Sequence, residues 1–70
     1  MKEFGLSGRE FIPLCDLLKA AGLCATLERS KVVISQGEVK VDDEVEIRKR
    51  CKIRPSQIAE FEGQQVKVVK

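Results

Sequence analysis

The stretch Val33-Ile34-Ser35-Gln36-Gly37-Glu38-Val39-Lys40-Val41-Asp42-Asp43 contains a change of period. Before Gly37, Leu27, Val33 and Ile34 share one helical face with the small Ser30 between them. Thr26 suits the N-cap of that helix and Gly37 its C-terminal stop. The β-branched run Val32-Val33-Ile34 also favours a strand, but the flanking caps decide for a helix over Leu27–Gln36. After Gly37 the period falls to two. Val39, Val41, Val45 and Ile47 alternate with polar residues around Asp42-Asp43, which reads as a hairpin with a two-residue turn. Such turns favour Gly in second place, so Asp43 must either adopt a positive φ or widen the turn.

Upstream, Leu14, Leu17, Leu18 and Ala21 recur at i, i+3, i+4 and i+7, with Pro13 suited to a first turn and Gly22 to a C-cap. This predicts a helix over Phe11–Ala21. In Met1–Arg9, Phe4 and Leu6 alternate with Gly5 and Ser7 as a brief edge strand. Downstream, Pro55-Ser56 is a turn, and Ile58–Phe61 and Gln65–Val69 flank a second turn at Glu62-Gly63-Gln64. The expected class is α+β: two short helices packed on a small curved antiparallel sheet of four to five strands. The expected core is Leu14, Leu17, Leu18, Leu27, Ile34, Val39, Val41, Val45, Ile53, Phe61, Val66 and Val68.

Seventy residues make one domain with no linker and no internal repeat. His, Trp and Tyr are absent, which removes the commonest general acid-base group and the commonest zinc ligand. The three cysteines, Cys15, Cys24 and Cys51, are too few for a one-chain tetrahedral zinc site without His, and are odd in number for a disulfide framework. They are expected to be reduced and mostly buried, as in a cytoplasmic protein. No apolar run is long enough for a signal peptide or a membrane span. No phosphate loop is present, and no Cys has a His to activate it. The reading is therefore non-enzymatic, with no cofactor and no metal.

The strongest chemical signal is Arg48-Lys49-Arg50-Cys51-Lys52-Ile53-Arg54, in which five of seven residues are cationic. The net charge of +2 hides this, because the other eight cations are outnumbered by eleven acids, five of them at Glu38, Asp42, Asp43, Glu44 and Glu46. Basic runs attract phosphate backbones through counterion release, and Arg adds bidentate hydrogen bonding. The structural alternative is a solvated loop or a charge-guarded edge strand. Cys51, lying among cations, would have a lowered thiol pKa if exposed. Arg29 and Lys31 add two cations near the start of the second helix, where free backbone N–H groups also attract phosphate.

The sequence from Val33 to Asp43 resembles the pattern Leu-Ile-x-x-Gly-x-Val-x-Val-Asn-Gly of the S-four RNA-binding domain, first described in ribosomal small-subunit protein four. The likeness extends into Leu14-Cys15-Asp16-Leu17-Leu18-Lys19 and Glu46-Ile47-Arg48-Lys49-Arg50-Cys51-Lys52-Ile53, and covers roughly Phe4 to Val69. Those flanks look like the small stand-alone bacterial branch, the YbcJ-like proteins. The resemblance implies an alpha-L fold, no catalysis, and binding of structured RNA, often ribosomal, on the face formed by the second helix and adjoining strands. Lys31 matches a Lys of the stand-alone branch. The general family's Ser-Arg pair is replaced by Thr26-Leu27, and the stand-alone branch's Gly-Gly-x-Ala-Lys by Leu27-Glu28-Arg29-Ser30-Lys31. Asp43 and Ser56 stand where the family commonly has Gly.

The expected interface is one cationic face of Lys31, Arg48, Lys49, Arg50 and Lys52, with Arg29, Lys40 and Arg54 as weaker members. It should contact phosphates and recognise shape rather than read bases. The scarcity of aromatics argues against single-strand stacking. The partner is structured RNA, ribosomal RNA among the options; the protein should act as a monomer, off the membrane, in the cytoplasm. The competing readings are a protein-interaction module built on the acidic hairpin and basic segment, and a duplex DNA binder, for which the second helix supplies few groove-reading side chains.

Overall fold

The computed structural model describes residues 1–70. In chain order the elements are β1 (Lys2–Gly5), β2 (Ile12–Pro13), α1 (Leu14–Ala20), α2 (Leu27–Ser35), β3 (Val39–Val41), β4 (Glu44–Val45), β5 (Lys52–Ile53), β6 (Ile58–Phe61) and β7 (Gln64–Val69). Five strands form one sheet in the order β1-β7-β6-β3-β4, and β2 pairs with β5 in a separate two-stranded ladder. The α+β class and the helix pair on a small sheet are as expected. The sheet is mixed, however, since β1 runs parallel to β7 while every other pair is antiparallel.

Both helices end in the same way. After α1 the N–H of Gly22 donates to the Lys19 carbonyl and that of Leu23 to Leu18; after α2 the N–H of Gly37 donates to Ile34 and that of Glu38 to Val33. These paired bonds are Schellman motifs, which need a left-handed residue at the turn. Gly22 and Gly37 supply it, with φ of 81° and 79°. The Thr26 hydroxyl accepts the Arg29 N–H at 3.1 Å and so caps α2.

Helix α1 begins at Leu14 rather than Phe11. Pro13 disfavours helical geometry at the residue before it. Ile12 and Pro13 instead extend to pair with Ile53 and Lys52, and Pro13 becomes the N-cap, with φ −60° and ψ 142°. The basic run Arg48–Arg54 therefore contains a strand, Lys52–Ile53, that its composition does not reveal.

The Asp42-Asp43 turn stays at two residues, with φ of 51° and 69°, so the Asp pair adopts the left-handed geometry that a primed turn demands. Glu62-Gly63 repeats the device between β6 and β7, with φ of 53° and 77°. A two-residue turn fixes which side chains share a face. Opposite residues in an antiparallel pair point the same way, so Val41↔Glu44 and Lys40↔Val45 place Val45 with Lys40, away from the helices. Val45 is accordingly 56% exposed, and Ile47, beyond the end of β4, is exposed as well. The expected placement of Val45 in the core is therefore incorrect: alternation continued through the turn, but the parity of the turn reversed the face.

The core joins α1 and α2 to the inner face of the sheet. Leu14, Leu17, Leu18, Ile34, Val39, Val41, Ile53, Phe61, Val66 and Val68 are all buried, as expected, and Leu27 is half-buried at the start of α2. Leu6, Ile12, Cys15, Leu23, Cys24, Val33 and Ala59 complete it. Ser30 is fully buried, and its hydroxyl donates to the Thr26 carbonyl at 3.1 Å.

Candidate nucleic-acid interface

The basic segment is held from beneath by helix α1. The first N–H groups of a helix have no partner inside it, and Pro13 at the N-cap provides no side-chain acceptor. The Leu14 N–H donates to the Cys51 carbonyl at 2.9 Å and the Cys15 N–H to the Lys49 carbonyl at 3.0 Å. The Cys51 N–H closes a turn onto the Arg48 carbonyl at 3.1 Å. The β2–β5 ladder then anchors Ile53, which is fully buried. The backbone of Arg48–Ile53 is thereby fixed while its cationic side chains stay in solvent.

Those side chains surround a shallow depression of ≈ 410 Å³ lined by Arg48, Arg50, Cys51 and Lys52. Three of the four lining residues are cations and none is an acid. Arg48 is the one with an acidic partner. Its Nε lies 2.9 Å and its Nη2 3.2 Å from the two carboxylate oxygens of Glu46, and its N–H donates to Glu46 Oε2 at 3.0 Å. Hydrogen bonding from Arg48, side chain first and backbone second, lowers the Glu46 pKa from 4.5 to about 2. The same partner raises that of Arg48. Arg48 therefore shapes the rim, whereas the charges of Arg50 and Lys52 have no carboxylate partner.

Cys51 forms part of the floor. It is half-buried, and burial pushes its thiol pKa up, with Glu46 adding to the effect and Arg48 opposing it. The expectation of a lowered pKa required an exposed thiol, which the structure does not provide. Cys15 and Cys24 are buried, and all three cysteines are free.

Lys52 and Arg54 meet at a residue the sequence reading did not select. The Lys52 ammonium lies 5.0 Å and the Arg54 guanidinium 5.9 Å from the centre of the Phe11 ring. The signal in the sequence is Phe11-Ile12-Pro13, an aromatic two residues from a proline and beside an apolar residue, which the helical spacing that follows masks as the start of a helix.

The structure thus brings Arg48, Arg50, Lys52 and Arg54 together, with the Lys49 side chain exposed from the same turn. Arg29 and Lys31 lie on α2, the former exposed and the latter half-buried. Lys40 stands on the sheet face turned away from the helices, opposite Val45 on one side and Glu60 on the other. The remaining depression, of ≈ 180 Å³, has Asp42, Asp43 and Glu60 in its lining and is acidic. No helix is long and apolar enough to cross a membrane.

A helix pair thus packs on a small mixed sheet, with a cationic loop fastened to the start of the first helix. The chain belongs to the S4 domain family, whose model matches residues 4–69. It is 45% identical over 69 residues to the Escherichia coli K12 protein named "Putative RNA-binding protein YbcJ", covering 99% of each chain, and equally similar to the YbcJ protein of Shigella flexneri. The solution structure of YbcJ from E. coli, described as revealing an alfaL motif involved in RNA-binding, superimposes with a TM-score of 0.78 at 44% identity, covering 100% of this chain and 89% of that one. The alpha-L fold expected from the sequence is the fold observed.

Proposed function

We propose that this chain is a non-catalytic module that binds structured RNA, ribosomal RNA among the candidate targets, acting as a monomer in the cytoplasm. The observation that carries the reading is the acid-free depression lined by Arg48, Arg50 and Lys52 on a loop whose backbone is fixed by α1. Preorganised cations lose less freedom on meeting phosphate than flexible ones. Arg50, Lys52 and the exposed Lys49 make the phosphate contacts, Arg48 supports the rim, and Arg54 extends the surface. Lys31 and Arg29 contribute from α2, and Lys40 is a marginal member opposite Glu60. The likeness to YbcJ proteins, one of them named for RNA binding, supports the same partner.

The direct test is the double charge reversal R50E/K52E. Neither side chain is buried or ion-paired, so the fold should be retained, as judged by circular dichroism. Binding to a folded ribosomal RNA fragment should weaken at least about tenfold, given the number of phosphate contacts removed. Unchanged binding would remove the loop from the interface and favour a protein-docking role for it. Equal competition by duplex DNA would identify a general duplex binder instead.

A further inference from the structure

We infer that Phe11 is a stacking platform for an unpaired nucleobase, set beside the cationic depression so that one nucleotide engages both; the inference rests on the RNA-binding reading and adds a base contact to it. The β2–β5 register explains why the ring faces outward. Ile12 and Ile53 pair directly and point into the core, 2% and 0% exposed. Side chains alternate along a strand, so Pro13 shares the outer face with Lys52, and Phe11, one residue before β2, lies beside Lys52 and Arg54. Phe11 is half-buried and adjoins the paired Ile12. Of the three phenylalanines, Phe61 is buried in the core, and Phe4 is half-buried against it under Arg9, 5.7 Å from the ring centre; Phe11 is the one whose cation, Lys52, also lines the depression.

Lys52 belongs to both features: it lines the depression and lies over the Phe11 ring. A phosphate in the depression and its own base on the ring would therefore meet the same lysine. The two cations lie 5.0 and 5.9 Å from the ring centre and are exposed to solvent. A base is uncharged and presents a flat apolar face, so it can replace one cation on the ring and free that cation for a phosphate. Duplex RNA keeps its bases stacked internally and cannot make this contact. The ligand class is thus an RNA with a loop or bulge, rather than a continuous helix.

The test uses three RNAs with one stem sequence: a hairpin with a four-adenosine loop, the same hairpin with abasic loop residues, and the blunt duplex. Wild-type protein should bind the adenosine hairpin about five- to a hundredfold more tightly than the abasic one, the range base–aromatic stacking spans. F11L should erase that preference and F11Y should keep it. The chain has no Trp or Tyr, so F11W introduces a single indole reporter. Its emission should be quenched by the adenosine hairpin and not by the duplex. Binding of all three RNAs with no dependence on Phe11, or equal quenching by the abasic hairpin, overturns the assignment and leaves the RNA reading intact. If none of the three RNAs binds wild-type protein, the RNA reading fails and the assignment fails with it.

Discussion

The backbone N–H of Cys15 donates to the carbonyl of Lys49 at 3.0 Å, tying the first turn of α1 to the centre of the basic loop. With the neighbouring Leu14–Cys51 bond, it satisfies two donors that a helix start ordinarily leaves to a side-chain cap or to water. Fold and candidate site are joined at this point: the helix needs acceptors and the loop supplies them. The Leu14 and Cys15 amides should accordingly exchange with deuterium as slowly as amides inside α1. Exchange at the rate of a frayed helix end would show that the loop is not held.

The Glu46–Arg48 pair gives the loop a pH dependence. Glu46 titrates near 4.5 when unfolded and at about 2 when folded. A carboxylate lowered on folding stabilises the native state above its unfolded pKa, and that contribution is lost as the pH falls from about 4.5 towards 2. Arg48 is largely exposed, so solvent screening keeps the gain small. Denaturant titrations of wild type and E46Q should differ by that small gain at pH 7 and converge near pH 2. A constant offset across the range would contradict the pairing.

The two turn aspartates should respond in opposite directions. Asp43 has a φ of 69° and no side-chain hydrogen bond that would be lost, so D43G relieves the left-handed strain and should stabilise the protein by about 0.5–1 kcal/mol. Asp42 also has a positive φ, but its carboxylate accepts the Ile58 N–H at 3.0 Å and the Gln57 side-chain amide at 3.3 Å. D42A should destabilise by about 1 kcal/mol or more. Thermal unfolding of the two variants checks both signs.

Burial should matter where the turn parity places it. L17A removes a fully buried side chain of α1 and should cost about 2–5 kcal/mol. V45A, on the outer face, should stay within about 0.5 kcal/mol of wild type. Comparable losses in the two variants would mean that β4 turns its other face to the core.

The helix pair was legible because its signals are local: apolar residues at helical spacing, Thr26 at one end, and Gly22 and Gly37 at the others. The hairpins were legible from period-two alternation. The β2–β5 ladder was not, because it joins residues about forty apart through two-residue strands too short to show a period. The same gap hid Phe11, which is a site residue only when Lys52 and Arg54 are folded against it. The Arg48–Arg54 cluster was visible as composition alone. The pairing of Arg48 with Glu46 was not, since a charge run does not say which of its members already has a partner.

The most direct test of the central claim, that a fixed cationic loop meets RNA phosphates, is the salt dependence of binding to a folded ribosomal RNA fragment. About five phosphate contacts give a slope of log K against log[salt] of roughly −3 to −5. R50E/K52E should flatten that slope as well as weaken binding. A nearly flat slope for the wild-type protein would contradict the account.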